Sequence, residues 1–234
     1  VDEIRYRSGV NYAEEILEFL LHRFRVQEPI TRSLDASIDD VRAFFTDLRD
    51  GGIQHSVAAF RQPTDPSAEE LIGVCLNHLD PTPPPPAAAS RDTDEDSSGY
   101  EVESGPYKER NANRLHSFVC ALEGDIFATL GHPSSIFHVD VICVAASCSR
   151  QGIGKELLRQ SLEHADRLGC QLVSTAATAQ ASQEMFRRAG FYTVRELPFS
   201  CFRERRMPIF RNLPDGGRSG LLMAYAIREK EEGD

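Results

Sequence analysis

The stretch FHVDVICVAASCSRQGIGKELL, running from Phe137 to Leu158, decides how the chain is read. Val139, Val141, Ile142, Cys143 and Val144 are β-branched or small and apolar, the composition of a buried strand, and Ile153, Leu157, Leu158, Leu162 and Ala165 follow at helical spacing. Between strand and helix lies Ser149-Arg150-Gln151-Gly152-Ile153-Gly154-Lys155. The first N–H groups of a helix have no partner within it, and glycine lets an anion approach them without a Cβ in the way. Arg150 and Lys155 add positive charge at the same mouth, so the turn reads as a phosphate cradle. A G-x-G at such a turn also arises from packing alone, and the pattern downstream has to separate the two readings.

Downstream, Ser182 to Phe191 spells a short helix that ends at Gly190, with Phe191 opening a strand. Taken together, R-Q-G-x-G-K and then S-x-x-x-F-x-x-A-G-F resemble motifs A and B of the GNAT superfamily of acyl-CoA-dependent N-acyltransferases. The resemblance implies an α/β (α+β) fold with a central mixed, mostly antiparallel sheet flanked by helices on both faces. It implies acetyl-CoA as co-substrate, with no metal. The pyrophosphate would lie on Arg150, Gln151, Gly152, Ile153, Gly154 and Lys155, the pantetheine arm along the backbone of Ile142, Cys143 and Val144, and Ser182 beside it. Relatives usually carry Arg or Gln where this chain has Ser149, and Arg150, one place on, takes that role.

With 234 residues, 41% of them hydrophobic, the chain can bury one substantial core, so a single domain over 1–234 is the expectation. No run approaches the roughly 20 apolar residues needed to span a bilayer, and Val1-Asp2-Glu3-Ile4 lacks the basic and apolar regions of a signal peptide. The expectation is a soluble cytoplasmic protein, monomeric and without membrane contact. The six cysteines lack C-x-x-C spacing and mostly sit in apolar runs, which favours free buried thiols over a disulfide or zinc framework. A net charge of −10 argues against nucleic acid as a partner. Between Asp80 and Gly105 seven acids face one base, Arg91, so −6 of that −10 lies there. This Pro-rich, acidic segment at about 80–110 reads as a disordered insertion, or alternatively as a docking arm.

Asn11 with Glu14 reads as a capping box for a first helix carrying Ile16, Phe19, Leu20 and Phe24 and stopping near Pro29. Ser37 with Asp40 opens a second, which carries Val41, Phe44, Phe45 and Leu48 and ends at Gly51-Gly52. Strands are expected near 53–60 and 71–79, with a bulge at Gly73, and a helix from Asn111 takes in Leu115, Phe118, Val119, Leu122, Ile126 and Phe127. After the phosphate-binding helix come a strand at Gln171–Ser174, a short helix, and strands near 192–197 and 221–227 joined by an Arg- and Phe-rich loop.

Within the superfamily, Glu28-Pro29, the hydroxyl pair Thr178 and Ser182, and the closing Gly220-Leu221-Leu222-Met223-Ala224 resemble invertebrate arylalkylamine (dopamine-type) N-acetyltransferases. That resemblance implies a small primary amine of the dopamine, tyramine, octopamine, serotonin or tryptamine type as acceptor. Such an amine, with a pKa of about 10, is protonated at neutral pH, so a base must take a proton directly or through water. The resemblance assigns Glu28 as that base, which requires a partly buried carboxylate of raised pKa. Many relatives protonate the departing thiolate with a tyrosine where this chain has Phe186; here the role passes to Ser182, with Thr178 as a relay. Backbone N–H groups near Cys143 and Val144 would hold the oxyanion. His138 and Asp140, two apart on the strand, point to one face and are secondary candidates, while Cys143 and Cys148 raise an acyl-enzyme alternative. Gln27 stands where relatives often have an acid, which leaves polyamines or lysine side chains open as acceptors, and Ser149 with Phe186 leaves open a non-catalytic acyl-CoA-binding regulator.

Overall fold

The computed structural model describes residues 3–62, 69–80, 100–101 and 105–227. In chain order the strands are β1 (Glu3–Ser8), β2 (Val57–Gln62), β3 (Glu70–Asp80), β4 (Tyr100–Glu101), β5 (Ile136–Val144), β6 (Leu172–Ala177), β7 (Tyr192–Pro198), β8 (Phe202–Glu204), β9 (Met207–Pro208) and β10 (Ser219–Ala226). Seven of them form the main sheet in the order β1-β2-β3-β5-β6-β10-β7, and β4, β8 and β9 form a small second one. Every pairing in the main sheet is antiparallel except β5–β6. The expected mixed, mostly antiparallel sheet is therefore present, with an edge strand, β1, that the sequence reading did not contain.

Helices cover both faces and bury two separate apolar cores. On one face Ile16, Phe45, Leu115 and Phe118 pack against Val141 and Cys143; on the other Ile153, Leu157, Leu158 and Phe186 pack against Phe137 and Val139. The first helix differs from its expected form. Asn11 is not its cap: the chain leaves β1 through a 3₁₀ turn, Val10–Tyr12, closed by the Tyr12 N–H on the Gly9 carbonyl at 2.8 Å. The helix then runs Ala13–Phe19, widens into a π turn at Leu20–Phe24 and ends with Arg25–Gln27. The next long helix, Ile38–Gly52, has the anticipated capping box, Ser37 Oγ accepting from Asp40 N and Asp40 Oδ2 from Ser37 N. Gly52 lies inside its last turn, where a Cβ would stand 2.8 Å from that of Leu76 on β3, so glycine is what lets helix and strand meet. The chain continues as a 3₁₀ turn, Ile53–His55, which delays β2 to Val57.

The bulge anticipated at Gly73 falls on its neighbour: Ala59 pairs Gly73 and Phe60 pairs Leu71, leaving Ile72 as the extra residue. The helix expected from Asn111 to Phe127 is two, Arg110–Glu123 and Ile126–Thr129, because Gly124 breaks it at φ 53° and Asp125 caps the second piece. Residues 81–99 and 102–104 of the acidic insertion lie outside the described residues. At its borders Asp80 ends β3, and Tyr107 is anchored by its hydroxyl on Asp47 Oδ2 at 2.8 Å and by Asn113. Phe199, Phe202 and Phe210, in the segment between β7 and β10, surround Phe118 with ring centroids 5.2–5.3 Å away and belong to the core. All six cysteines are free thiols. Among the described residues no helix is long and apolar enough to cross a membrane.

Candidate active site

β5 and β6 pair only over Ile136–Leu172, Phe137–Val173 and His138–Ser174, and then diverge. The cause is on the other side of β5. Val139 pairs Asn77 and Val141 pairs Leu76, so Asp140 is an extra residue, and a bulge bends and over-twists the strand that carries it. The inserted residue also resets the side-chain alternation: Val139 faces the core of the later helices, whereas Val141 and Cys143 face the earlier ones. Thr175 Oγ1 donates to the Val139 carbonyl at 2.9 Å and pins the fork. Beyond it, the β6-facing backbone of residues 141–144 has no strand partner, which suits an extended ligand.

A cleft of about 270 Å³ opens at this fork. Ile142, Cys143, Val144 and Gly154 line it together with Glu28, Thr178 and Ser182. Ahead of the helix Ile153–Arg167, Arg150 takes φ 60° and Gly152 φ 82°. A left-handed arginine is strained by roughly 1–3 kcal/mol, a conformation that survives where the surroundings impose it, often at ligand sites. No side chain caps this helix, so its first N–H groups, at Ile153, Gly154 and Lys155, remain available to an anion. Arg150, Gln151, Gly152 and Lys155 are exposed on the turn; the Ile153 side chain is in the core, so only its N–H can serve a ligand. The open strand backbone and the uncapped turn together fit a phosphorylated, extended molecule such as coenzyme A.

Glu28 is where the first helix ends and the next, Pro29–Ser33, begins. Extended at φ −70°, ψ 121°, it is the N-cap of that short helix, with Pro29 at the first position, where a missing N–H costs nothing. Its carboxylate is 7% exposed and accepts four hydrogen bonds. Ile30 N and Thr178 Oγ1 donate to Oε1 at 3.2 and 2.8 Å, and Thr31 N and Oγ1 donate to Oε2 at 2.7 and 2.6 Å. Burial raises the carboxyl above its usual range, outweighing these bonds, which act the other way. Two oxygens have about four acceptor sites, so the carboxylate is full, and a proton can most directly reach it through one of the hydroxyls already attached. Thr178, joined to Glu28 across 150 positions of chain, is the one that faces the cleft.

Ser182 lines the same cleft but touches neither Glu28 nor Thr178; its hydroxyl donates to the Ala179 carbonyl at 2.8 Å. Phe186 is 1% exposed and packs on Phe191 at 5.0 Å. Burial, with the charge of Glu28 adding, pushes the Cys143 thiol up to about 12, so a thiolate nucleophile is not available there at neutral pH. His138 and Asp140 both engage His78, His138 by a ring stack at 4.3 Å and Asp140 by hydrogen bonds of 2.9 and 2.7 Å to Nδ1.

On the opposite face, under Ile38–Gly52 and Arg110–Glu123, a second cavity of about 70 Å³ shares Glu28, Thr178, Asp140 and Thr175 with the cleft. Phe24, Phe44, Phe45, Leu115 and Val119 make its apolar wall, and Asp140 and Glu123 its acidic end. Burial, helped by the charge of Asp140, pushes the Glu123 carboxyl up to about 7. Thr31, Thr175 and Glu123 had not been singled out from the sequence. Thr31 carried a signal, being at the third helical position after the Glu28-Pro29 cap; Glu123 is simply the last residue of an amphipathic helix and carried none.

Residues 76–191 match the family model described as acetyltransferase (GNAT) family. No curated protein sequence matches the chain. Among solved structures it is similar to arylalkylamine N-acetyltransferase 2 from Aedes aegypti, at 18% identity and a TM-score of 0.73, covering 97% of this chain and 100% of that one. It is also similar to a Drosophila melanogaster polyamine N-acetyltransferase that forms N-acetylagmatine, at 16% identity and a TM-score of 0.69 over 96% and 100% of the two chains. A third likeness is to the C-terminal condensation domain of Ebony in complex with β-alanyl-dopamine, at 13% identity and a TM-score of 0.70 over 97% and 100%. The forked sheet, the uncapped turn and the family match agree: the chain carries an acetyltransferase domain of the GNAT family, in the fold that insect arylalkylamine N-acetyltransferases adopt.

Proposed function

We propose that the chain is an acetyl-CoA-dependent N-acetyltransferase of small primary arylalkylamines, with Glu28 as general base acting through Thr178. The observation that carries the reading is the buried Glu28 carboxylate, raised in pKa and linked by the 2.8 Å Thr178 bond to a cleft at the sheet's fork. Acetyl-CoA supplies the activated acyl group as a thioester. Thr178 Oγ1 takes a proton from the bound ammonium while its own hydrogen passes to Glu28 Oε1, freeing the nitrogen lone pair for attack. The N–H group of Val144, on the edge of β5 that β6 leaves open, faces the carbonyl oxygen as it gains charge. Ser182 turns its hydroxyl from the Ala179 carbonyl to the departing thiolate and gives it a proton, which the nitrogen of the collapsing intermediate replaces as the amide forms. The apolar wall of Phe24, Phe44 and Phe45 receives the amine's hydrocarbon or ring.

A second acceptor class has a specific observation in its favour: Asp140 and Glu123 end the same cavity and would pair with a distal cation of a polyamine or guanidinylated amine. Initial rates of thiol release from acetyl-CoA across arylalkylamines, polyamines and lysine peptides decide between them. Highest kcat/KM for an arylalkylamine supports the leading reading, and turnover of polyamines alone transfers the function to the second. Tight acetyl-CoA binding with no turnover on any amine overturns both and leaves a binding protein.

A further inference from the structure

The two acids at the end of the acceptor cavity differ in how they are compensated. Asp140 is already taken: His78 Nδ1 lies 2.9 and 2.7 Å from its two oxygens. Burial favours a neutral His78 ring, but the hydrogen bond and charge of Asp140 outweigh it and raise the imidazole's pKa, so the two form an ion pair. Glu123 has no such partner. It ends the helix Arg110–Glu123 with its side chain half-buried on the cavity, and among the described residues no hydrogen-bond donor reaches its carboxyl. The charged groups around it come from three elements. β3 presents His78 and Asp80, and β5 presents Asp140 together with His138, which Ser174 and Asp80 engage at 2.8 and 3.3 Å. Its own helix adds Cys120 one turn back. The facing helix Ile38–Gly52 offers the cavity only Phe44, Phe45 and Leu48. Arg195 of β7 is turned away, to the Leu122 carbonyl and the Thr129 hydroxyl at 3.2 Å each. Burial and then Asp140 outweigh the pull of His78 and, with Asp80, push the Glu123 carboxyl up to about 7.

We propose that Glu123 is the specificity residue of the acceptor cavity and that its proton selects the far end of the amine: an uncharged ring when the carboxyl is neutral, a cation when it is ionised. Glu123 has this role only if the cavity receives the acceptor, as proposed above. A ring sliding along Phe24, Phe44 and Phe45 strips water from the carboxyl at the cavity's end. An ionised carboxylate pays heavily for that loss unless a charge replaces the water, whereas a neutral carboxyl loses little and can still exchange a hydrogen bond with a ring hydroxyl. The preference reverses for a diamine or guanidinylated amine. Its far cation needs a counter-charge in the same apolar surroundings, and Asp140 cannot supply one while it holds His78. Both acceptor classes are then substrates of one cavity, exchanged by one proton. Glu28, full with four hydrogen bonds where the cavity meets the cleft, takes no part in the choice.

The test is kcat/KM for agmatine and for phenethylamine on the full chain, measured from pH 6 to pH 8 under saturating acetyl-CoA. Amines with a pKa of about 10 stay almost wholly protonated over that range, and the steps at Glu28 and at the coenzyme are common to both substrates, so the ratio isolates the far end. This parameter reports ionisations of the enzyme before the amine binds. For a carboxyl at about 7 the ionised fraction climbs from roughly one in eleven at pH 6 to roughly ten in eleven at pH 8. The agmatine-to-phenethylamine ratio should therefore rise at least about tenfold across the range. In Glu123→Gln, nearly isosteric, the ratio should be flat and stay at the parent's low-pH value. Glu123→Leu should behave alike and gives the same reading if the glutamine variant misfolds, with circular dichroism as the check. A flat ratio in the parent overturns the assignment. So does a pH dependence that persists in the variants, which would belong to the His78–Asp140 pair; either result leaves the acetyltransferase reading standing. No thiol release with any amine brings down that reading and this role together.

Discussion

Replacing Glu28 by glutamine removes the basicity of the buried carboxylate and nearly nothing else. The amide oxygen can take over the Thr31 side, where N and Oγ1 donate at 2.7 and 2.6 Å. The new NH₂ then faces Thr178 Oγ1, which can turn to accept, and Ile30 N, whose 3.2 Å bond is the one lost. One unmatched buried N–H costs about 1–3 kcal/mol, partly offset because a charge no longer has to be buried, so the variant stays folded. Loss of acid–base catalysis is worth about 10²–10⁴-fold, which at 1.36 kcal/mol per decade is about 2.7–5.4 kcal/mol of transition-state stabilisation. The assay is thiol release under saturating acetyl-CoA with the preferred amine, from about pH 6 to pH 10. The expected result is kcat/KM down by that factor at neutral pH, coenzyme Kd unchanged, and partial recovery as rising pH deprotonates the amine itself. Turnover within a few-fold of the parent at neutral pH would refute Glu28 as the base.

Thr178→Val should lower kcat/KM by roughly 10- to 150-fold, the 1.5–3 kcal/mol of a hydrogen bond to a charged group, and Thr178→Ser should restore most of it; equal rates in both would remove the relay. Cys143→Ala should turn over within a few-fold of the parent, and intact-mass analysis after incubation with acetyl-CoA alone should find no acylated enzyme. Arg150→Ala should chiefly raise the coenzyme Kd with kcat little changed, read by calorimetry and saturation kinetics. Because folding raises the Glu28 pKa, its burial contributes stability that is present below the unfolded value and lost as pH rises through the folded one. The Tm of Glu28→Gln relative to the parent should therefore improve from about pH 4 to pH 8, and a flat difference would show that the carboxyl is not perturbed.

The strand–turn–helix core of the fold was legible because β5 carries a nearly continuous apolar run and the helix after it a period-3.6 pattern, on either side of a glycine turn. What was not legible depends on partners far along the chain. β1, reading EIRYRS, has charges on its outward positions and gains strand character only by pairing with β2 some fifty residues on. The bulge at Asp140 has no signature in FHVDVICV; it exists through the register with Asn77 and Leu76. The same holds for the site. Glu28 and Thr178 came from motifs, whereas their mutual bond, the Asp140–His78 contact and the position of Glu123 are products of three elements meeting over one face.

The fork between β5 and β6 makes the sheet a partition with a doorway. On the proposed function, acyl donor and amine would reach Glu28 and Thr178 through the two cavities that share these residues, and the products would retreat the way their precursors came. Neither substrate need wait for the other to clear its path. A single molecule threaded through the doorway, an amine tethered through an acyl spacer to the pantetheine sulfur, would fill both sides while surrendering the translational freedom of one body instead of two. Its affinity should thus exceed that of either half by orders of magnitude, with the optimal tether length reporting the thickness of the partition at Thr178.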